Sequence, residues 1–464
     1  MPENHVRTVI IGDKRGRGVD TITSLDDLKN SRPLRVLMLS WEFPPVVVGG
    51  LGRHVHQLST ALVAAGHEVT VVARHAPGAP LEEYVDGVRV VRAPEDPPLF
   101  PLSTPSLLAW TMAFNHSLTR AALRVADAGE YDLVHAHDWL VAHTAVTLSE
   151  HLGLPLVATI HATEAGRHQG WLPGDMNKCI HSIEYWLGHE ATRVLVCSAY
   201  MRWEVGRLLE LDAGKVEVVP NGVNAAQWRP KPRSVAAVRS RYAGEGPVLG
   251  FAGRLVYEKG VQDLIAAMPR LRMAHPGLRL VISGDGPYSD ELRDEVRGRQ
   301  LQRAVSFTGF LGEDRLPPML AAMDTVVVPS IYEPFGMVAL EAASAGAPLA
   351  VAVTGGLTEI VEPGVTGVTF PAKDPDGLAE AVSSLLADAS YAGKLAQDAR
   401  AMVAERYSWA TVARRTVEAY GSALRQAPGF SAVSAEAVSA EAPAALARVV
   451  RPRIVVPEGN LLSL

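Results

Sequence analysis

The alternation of apolar and polar positions divides the chain into repeating units. LRVLMLS (34–40) is a short apolar run ending in turn residues, the mark of a strand buried in a parallel sheet. WEFPPVVVGGLG (41–52) carries Pro44, Pro45 and three glycines and predicts a loop. RHVHQLSTALVAAG (53–66) has helical spacing and is closed by Gly66, and EVTVVAR (68–74) reads as the next strand. YDLVHAH (131–137), PLVATI (155–160), RVLVCS (193–198) and VEVVP (216–220) repeat the strand-then-loop pattern. Strands alternating with helices predict a parallel sheet covered on both faces.

The pattern weakens over 221–246, where NGVNAAQWRPKPRS has little periodicity and reads as a hinge. PVLGFAGR (247–254) starts a second series. Its strands are RLVISG (279–284), AVSFTG (304–309), TVVVPS (325–330) and PLAVAV (348–353), with GVQDLIAAMPRL, LPPMLAAM and MVALEAASAG as helices between them. WATVARRTVEAYGSALRQ (409–426) is a final amphipathic helix. The chain therefore divides into an extension (1–33), a first unit (34–235), a second unit (236–408), the closing helix (409–426) and a low-complexity tail (427–464). The fold class is α/β: two doubly wound, Rossmann-like domains.

Composition agrees with this picture and narrows the partners. The 464 residues are 48% hydrophobic and 20% charged, as in globular chains of two or more domains. No apolar run reaches the roughly 18 residues of a membrane span, and the N-terminus lacks a signal-peptide block. Cys179 and Cys197 are too few for a disulfide framework or a four-ligand zinc site, so a cytoplasmic protein is expected. The net charge of −6 argues against a nucleic-acid partner but leaves room for a local pair of cations on a small anion. The sequence is silent on the oligomeric state.

Open α/β sheets bind ligands beyond the carboxyl ends of their strands, so the loops there carry the candidates. In GGLG (49–52), Gly50 and Gly52 either let the backbone approach an anion at a helix N-terminus or simply make a tight turn. The G-G-x-G spacing is not the G-x-G-x-x-G of dinucleotide enzymes. In GRLVYEKG (253–260), Arg254 and Lys259 either converge on a diphosphate or are ordinary solvated cations. In YEPFGMVALE (332–341), the amides of Gly336, Met337 and Val338 fall in the first turn of a helix, where a phosphate is favoured. Glu333 precedes that helix and Glu341 lies about two turns into it. The two serve different ends of one ligand, or Glu341 is a helix-surface glutamate. His161 follows strand 155–160 and either bonds a sugar hydroxyl or is structural. Asp138, in HAHDW, binds hydroxyls or caps a helix. Asp374-Pro-Asp376 looks like an acidic metal pair, but it precedes GLAEAVSSLL and Asp376 reads as an N-cap. No H-E-x-x-H, P-loop or G-x-S-x-G element occurs.

Taken in order, SWEFPP, GGLG, HAHDW, TIHAT, VVPNGVN, FAGRLVYEKG, SGDGP, VPSIYEPFGMVALEAASAG and GGLTEIVEPGVTG resemble the glycogen-synthase-like family 4 of retaining glycosyltransferases over about 34–425. The opening segment is similar to actinobacterial α-1,4-glucosyltransferases of glycogen or methylglucose polysaccharide synthesis. The resemblance implies a GT-B fold, with a nucleotide-sugar donor held by the second domain, an acceptor by the first, and a last helix that crosses back. Arg254 and Lys259 would neutralise the donor diphosphate, Glu341 would hold the ribose hydroxyls and Glu333 would position the donor sugar and its developing charge. His161 would contact the sugar near O6, and Gly50 and Gly52 would admit the diphosphate. A lysine that bacterial glycogen synthases carry two residues before the double glycine is Val47 here. The implied reaction moves glucose from ADP- or UDP-glucose to the non-reducing end of an α-1,4-glucan, without metal or cofactor. The alternatives are a small acceptor (glucose 1-phosphate, an inositol or a lipid), a sugar-nucleotide epimerase, or a glycan binder.

Overall fold

The computed structural model describes residues 9–11, 20–22, 32–47, 49–94 and 102–426. The tail read over 427–464 and most of the extension read over 1–33 lie outside the described residues, apart from a short antiparallel pairing of Val9–Ile11 with Asp20–Ile22. Two sheets form the body. The first contains β1 (Arg35–Ser40), β2 (Glu68–Arg74), β3 (Glu82–Val85), β4 (Val88–Ala93), β5 (Leu133–His137), β6 (Leu156–Ile160), β7 (Arg193–Val196) and β8 (Val216–Val218), in the order β8-β7-β6-β5-β1-β2-β4-β3. Only the edge strand β3 runs antiparallel. The second contains β9 (Val248–Ala252), β10 (Arg279–Ser283), β11 (Val305–Gly309), β12 (Thr325–Val328), β13 (Leu349–Ala352) and β14 (Val368–Phe370), all parallel, in the order β11-β10-β9-β12-β13-β14. This is the doubly wound order of a dinucleotide fold, and its direction reverses between β9 and β12. In the first sheet the reversal falls between β1 and β5.

The central strands β5, β6 and β9 are buried at every position; β6 and β9 are correspondingly poor in polar residues, whereas β5 buries His135 and His137. Helix Trp409–Gln426 belongs to neither sheet's winding. It buries Val412, Ala413, Thr416, Ala419, Tyr420 and Ala423 at helical spacing, and its apolar side chains join one cluster with Val55, Leu58 and Leu62 of helix Gly50–Ala64. Its Tyr420 hydroxyl lies 2.8 Å from His135 Nδ1 on β5. At its start, Trp409 packs so closely on Gly222 that a Cβ there would sit 2.7 Å from the indole. The chain thus returns to the first domain. Among the described residues no helix is long and apolar enough to cross a membrane.

Several sequence readings need correction. The helix read from 53 begins at Gly50, so Gly50 and Gly52 are helical and Gly49 is the cap. The boundary placed between 235 and 236 cuts helix Pro232–Tyr242, which belongs with the second sheet because Arg239 pairs with Asp324 at 2.7 Å. The segment read as a hinge therefore contains a docked helix. The cap of helix Pro375–Ala387 is Asp374, which accepts from Gly377 N at 2.9 Å; Asp376 instead pairs with Arg270 at 2.8 Å. Proline at the first helical position moves the cap one residue upstream of it. The amphipathic strands β3, β4 and β14 lack the continuous apolar run that marks the others.

Backbone approaches that only glycine permits fix the loops at the second reversal point. Gly260 has φ +70°, and a Cβ there would lie 1.9 Å from the Pro329 carbonyl oxygen. This clamps the loop after β9 to the loop after β12. Gly260→Ala is expected to destabilise by about 2–4 kcal/mol, from strain and a backbone clash together. Gly298→Ala, on a helix with open space around it, should be neutral or stabilising by up to about 1 kcal/mol. Chemical denaturation of both variants compares them.

Candidate active site

The carboxyl ends of both sheets face one cleft. On the second domain, the loop after β9 carries Arg254 and Lys259. Lys259 Nζ donates to Glu333 Oε2 at 2.8 Å, and Ser330 Oγ donates to the same oxygen at 3.1 Å. The Glu258 carbonyl accepts the amides of Ile331 and Tyr332 at 2.8 and 3.2 Å, which ties the two loops together. Arg254 is exposed and has no hydrogen-bond or ion-pair partner among the described residues. The structure therefore joins Lys259 to Glu333 and leaves Arg254 as the unengaged cation beside them.

Helix Met337–Ala345 starts at Gly336, whose φ of +117° turns the chain sharply after Pro334 and Phe335. Among the described residues the amides of Gly336, Met337 and Val338 have no acceptor, as an anion-binding helix start requires. Because the helix begins only at Met337, Glu341 lies one turn into it rather than two. Its side chain is 2% exposed, so the surface-glutamate reading fails. Arg53 Nη1, on the first domain, donates to Glu341 Oε1 at 2.7 Å, while Oε2 is buried with no partner among the described residues. Burial raises the Glu341 pKa and the Arg53 charge opposes the rise.

On the first domain the two glycines differ. Gly50 opens on free space. Gly52 does not: a Cβ there would meet Glu42 Oε2 at 3.0 Å. Its lack of a side chain makes room for that buried carboxylate, which accepts the Gly49 amide at 3.1 Å. An internal anion thus already occupies part of this helix start, which the spacing of the glycines did not reveal. His161, half-buried after β6, donates its backbone N–H to Asp138 Oδ1 at 2.7 Å, and its Nε2 lies 3.1 Å from His137 Nδ1. Asp138 sits at the cap of the turn Trp139–Val141 with φ +61°, but its side chain makes no cap bond. It orients the His161 backbone instead. Burial lowers the His161 pKa to about 4 and raises that of Asp138 to about 7, the latter opposed by the His161 N–H.

The domains also meet through Glu359, which caps helix Ala199–Leu208 by accepting the Ala199 and Tyr200 amides, each at 2.9 Å. Ser198 Oγ donates to the Pro334 carbonyl at 2.6 Å, and the Tyr332 hydroxyl donates to buried Glu204 at 2.7 Å. Sequence reasoning missed Arg53, Glu42, His54, His137, Glu204 and Glu359. For the two histidines a signal existed, since both adjoin motifs already singled out. Glu42 and Glu359 likewise lie within SWEFPP and GGLTEIVEPGVTG, whereas Glu204 adjoins none of the motifs.

Residues 48–227 match the Glycosyltransferase Family 4 model, and residues 237–402 match Glycosyl transferases group 1. Glycogen synthase of Mycobacterium tuberculosis is 46% identical over 404 residues, covering 84% of this chain and 95% of that protein. The chain belongs to glycosyltransferase family 4. It is a hexosyltransferase of the GT-B fold. Alpha-maltose-1-phosphate synthase of Mycolicibacterium smegmatis is 33% identical over 410 residues, with coverages of 83% and 99%. Among solved structures, sucrose-phosphate synthase from Thermosynechococcus elongatus superposes with a TM-score of 0.73 at 26% identity, over 84% of this chain and 98% of that one.

Two predictions concern this glycosyltransferase's charges. Asp138 keeps its proton in the folded state across about pH 4 to 7, whereas the unfolded chain loses it near 4. Its contribution to stability is therefore present at low pH and lost as pH rises through that window, by about 1.4 kcal/mol for each pH unit. Asp138→Asn should flatten the decline in thermal midpoint between pH 4 and 7. Arg53→Ala should destabilise by about 2–3 kcal/mol, because it strands a buried carboxylate. Glu341→Gln in the same background should recover most of the loss in urea denaturation.

Proposed function

We propose that this enzyme transfers glucose, with retention, from ADP- or UDP-glucose to the non-reducing end of an α-1,4-glucan. The observation that carries the reading is the Lys259–Glu333 pair at the reversal of the second sheet, beside the unengaged amides of Gly336–Val338. Glycosyl transfer makes an anionic diphosphate and an oxocarbenium-like sugar at the same moment. Lys259, Arg254 and the helix start stabilise the first, and the Glu333 carboxylate positions the second. The His161 imidazole, neutral at pH 7, donates or accepts one sugar hydroxyl bond. The acceptor hydroxyl attacks the anomeric carbon from the face the diphosphate leaves, and its proton passes to the departing phosphate oxygen. In this reading the protein's own cations meet the diphosphate charge, and no resident metal or cofactor is required. Glu341 receives the ribose hydroxyls once Arg53 yields its place. The free cysteines, Cys179 and Cys197, agree with a reducing, cytoplasmic setting.

The likeness to glycogen synthase over most of the chain supports a glucan acceptor. The likeness to an alpha-maltose-1-phosphate synthase favours one specific alternative, glucose 1-phosphate. Incubation of each nucleotide-glucose with maltoheptaose or with glucose 1-phosphate, followed by linkage analysis, separates them. Lengthening of maltoheptaose through α-1,4 bonds is expected. Product only from glucose 1-phosphate selects the alternative, and no transfer from any nucleotide-glucose rejects both. Lys259→Ala should lower kcat/KM by roughly 30- to 1000-fold, or about 2–4 kcal/mol, with donor KM and kcat both affected.

A further inference from the structure

We infer that His54, His137 and His161 form a binding site for one divalent transition ion of the zinc class, and that filling it withdraws His161 from the donor sugar. One ring nitrogen from each residue lies within 4.8 Å of one from the other two. His54, 5% exposed on helix Gly50–Ala64, stands edge-on to His161 with ring centroids 4.8 Å apart, and its centroid is 5.5 Å from that of His137. Trp409, the first residue of the closing helix, covers it at 5.4 Å. Among the described residues, both nitrogens of His54 and Nε2 of His137 are buried without a hydrogen-bond partner; Asn221 lies alongside His54 but makes no bond of good geometry. A neutral imidazole always has one bare ring nitrogen, and on His54 that nitrogen is buried with no donor of good geometry, a cost that a bound ion would offset.

The geometry suits a tetrahedral ion. Two nitrogens each about 2.05 Å from zinc are roughly 3.3 Å apart. His137 Nδ1 and His161 Nε2 already stand 3.1 Å apart. An ion replaces the proton these two share, and that proton moves to the free nitrogen of its own ring, so all three ligands remain neutral imidazoles. Small ring rotations bring in His54 as the third ligand, and water completes the set. An all-imidazole set selects Zn²⁺, Co²⁺ or Ni²⁺ over Mg²⁺ or Ca²⁺. With Nε2 bound to metal and Nδ1 fixed as the donor, His161 cannot reorient toward a sugar hydroxyl.

The first half of this inference is independent of donor and acceptor identity, and the second rests on the role of His161 proposed above. Chelator-stripped, full-length protein titrated with Co²⁺ near pH 7.5 should take up one equivalent and show the visible absorption of a tetrahedral nitrogen site, with Zn²⁺ displacing it. His54→Leu should abolish that spectrum and weaken uptake at least tenfold, whereas His151→Gln, on an exposed helix end, should retain both. Circular dichroism checks folding, and His54→Asn gives the same test if the leucine variant does not fold. Absence of stoichiometric uptake, or unchanged uptake in the His54 variants, overturns the site. Glucosyl transfer should fall at least tenfold in saturating Zn²⁺, recover with chelator and be unaffected by Mg²⁺. Uptake without inhibition overturns the second half alone.

Discussion

A carboxylate that one domain buries and the other must neutralise sets the geometry of the cleft. Glu341 is almost wholly sequestered, and among the described residues its partner is Arg53, whose helix belongs to the opposite sheet. A buried charge of this kind adds little net stability, because desolvation consumes most of the attraction. What it supplies is position. Separating the domains leaves the charge without a counter-ion, so this 2.7 Å contact is one of those that tie their relative placement. Glu359 on the amides of Ala199 and Tyr200, and Glu204 under the Tyr332 hydroxyl, repeat the arrangement farther along the cleft. Two of these carboxylates come from the second domain, and each is satisfied by the first.

The same economy governs the loops at the reversal of the second sheet. Each sheet reverses its winding at one point, and loops leaving adjacent strands there diverge to either side, which opens a crevice. Gly260 then lets the loop after β9 press on the backbone after β12, and Lys259 is carried to Glu333. Without a ligand, cation and carboxylate satisfy one another. In the reaction proposed above, a diphosphate and a developing sugar cation would each take over one member of this pair. The histidines across the cleft are kept neutral chiefly by burial, which leaves them as hydrogen-bonding groups rather than charges.

Much of this is legible in the sequence. The central strands stand out because a strand buried on both faces must be apolar throughout, and LRVLMLS or PLVATI can scarcely be anything else. The closing helix is legible to its limits, Trp409 and Gln426, because its buried face repeats at the helical period. The candidate side chains are legible because the topology confines chemistry to strand ends. The start of helix Gly50–Ala64 is misplaced by three residues, since glycine propensity argues for a loop and the packing of Gly52 against Glu42 overrides it. The 235/236 boundary fails similarly: an arginine-rich, weakly patterned segment is held as a helix by Arg239 and Asp324 across 85 positions.

The sequence by itself therefore determined the two-sheet architecture, the loops that bear the chemistry and the residue types available there. It could do so because periodicity and turn composition are local and each strand carries its own record of burial. Only the tertiary structure decided which groups meet. Arg53 and Glu341 lie 288 positions apart, His135 and Tyr420 285, and no local pattern encodes such pairings. It also decided the charge state of the site, because desolvation depends on what packs around a group. Asp138 and His161 have ordinary side chains, and their shifted proton affinities come from the fold that encloses them.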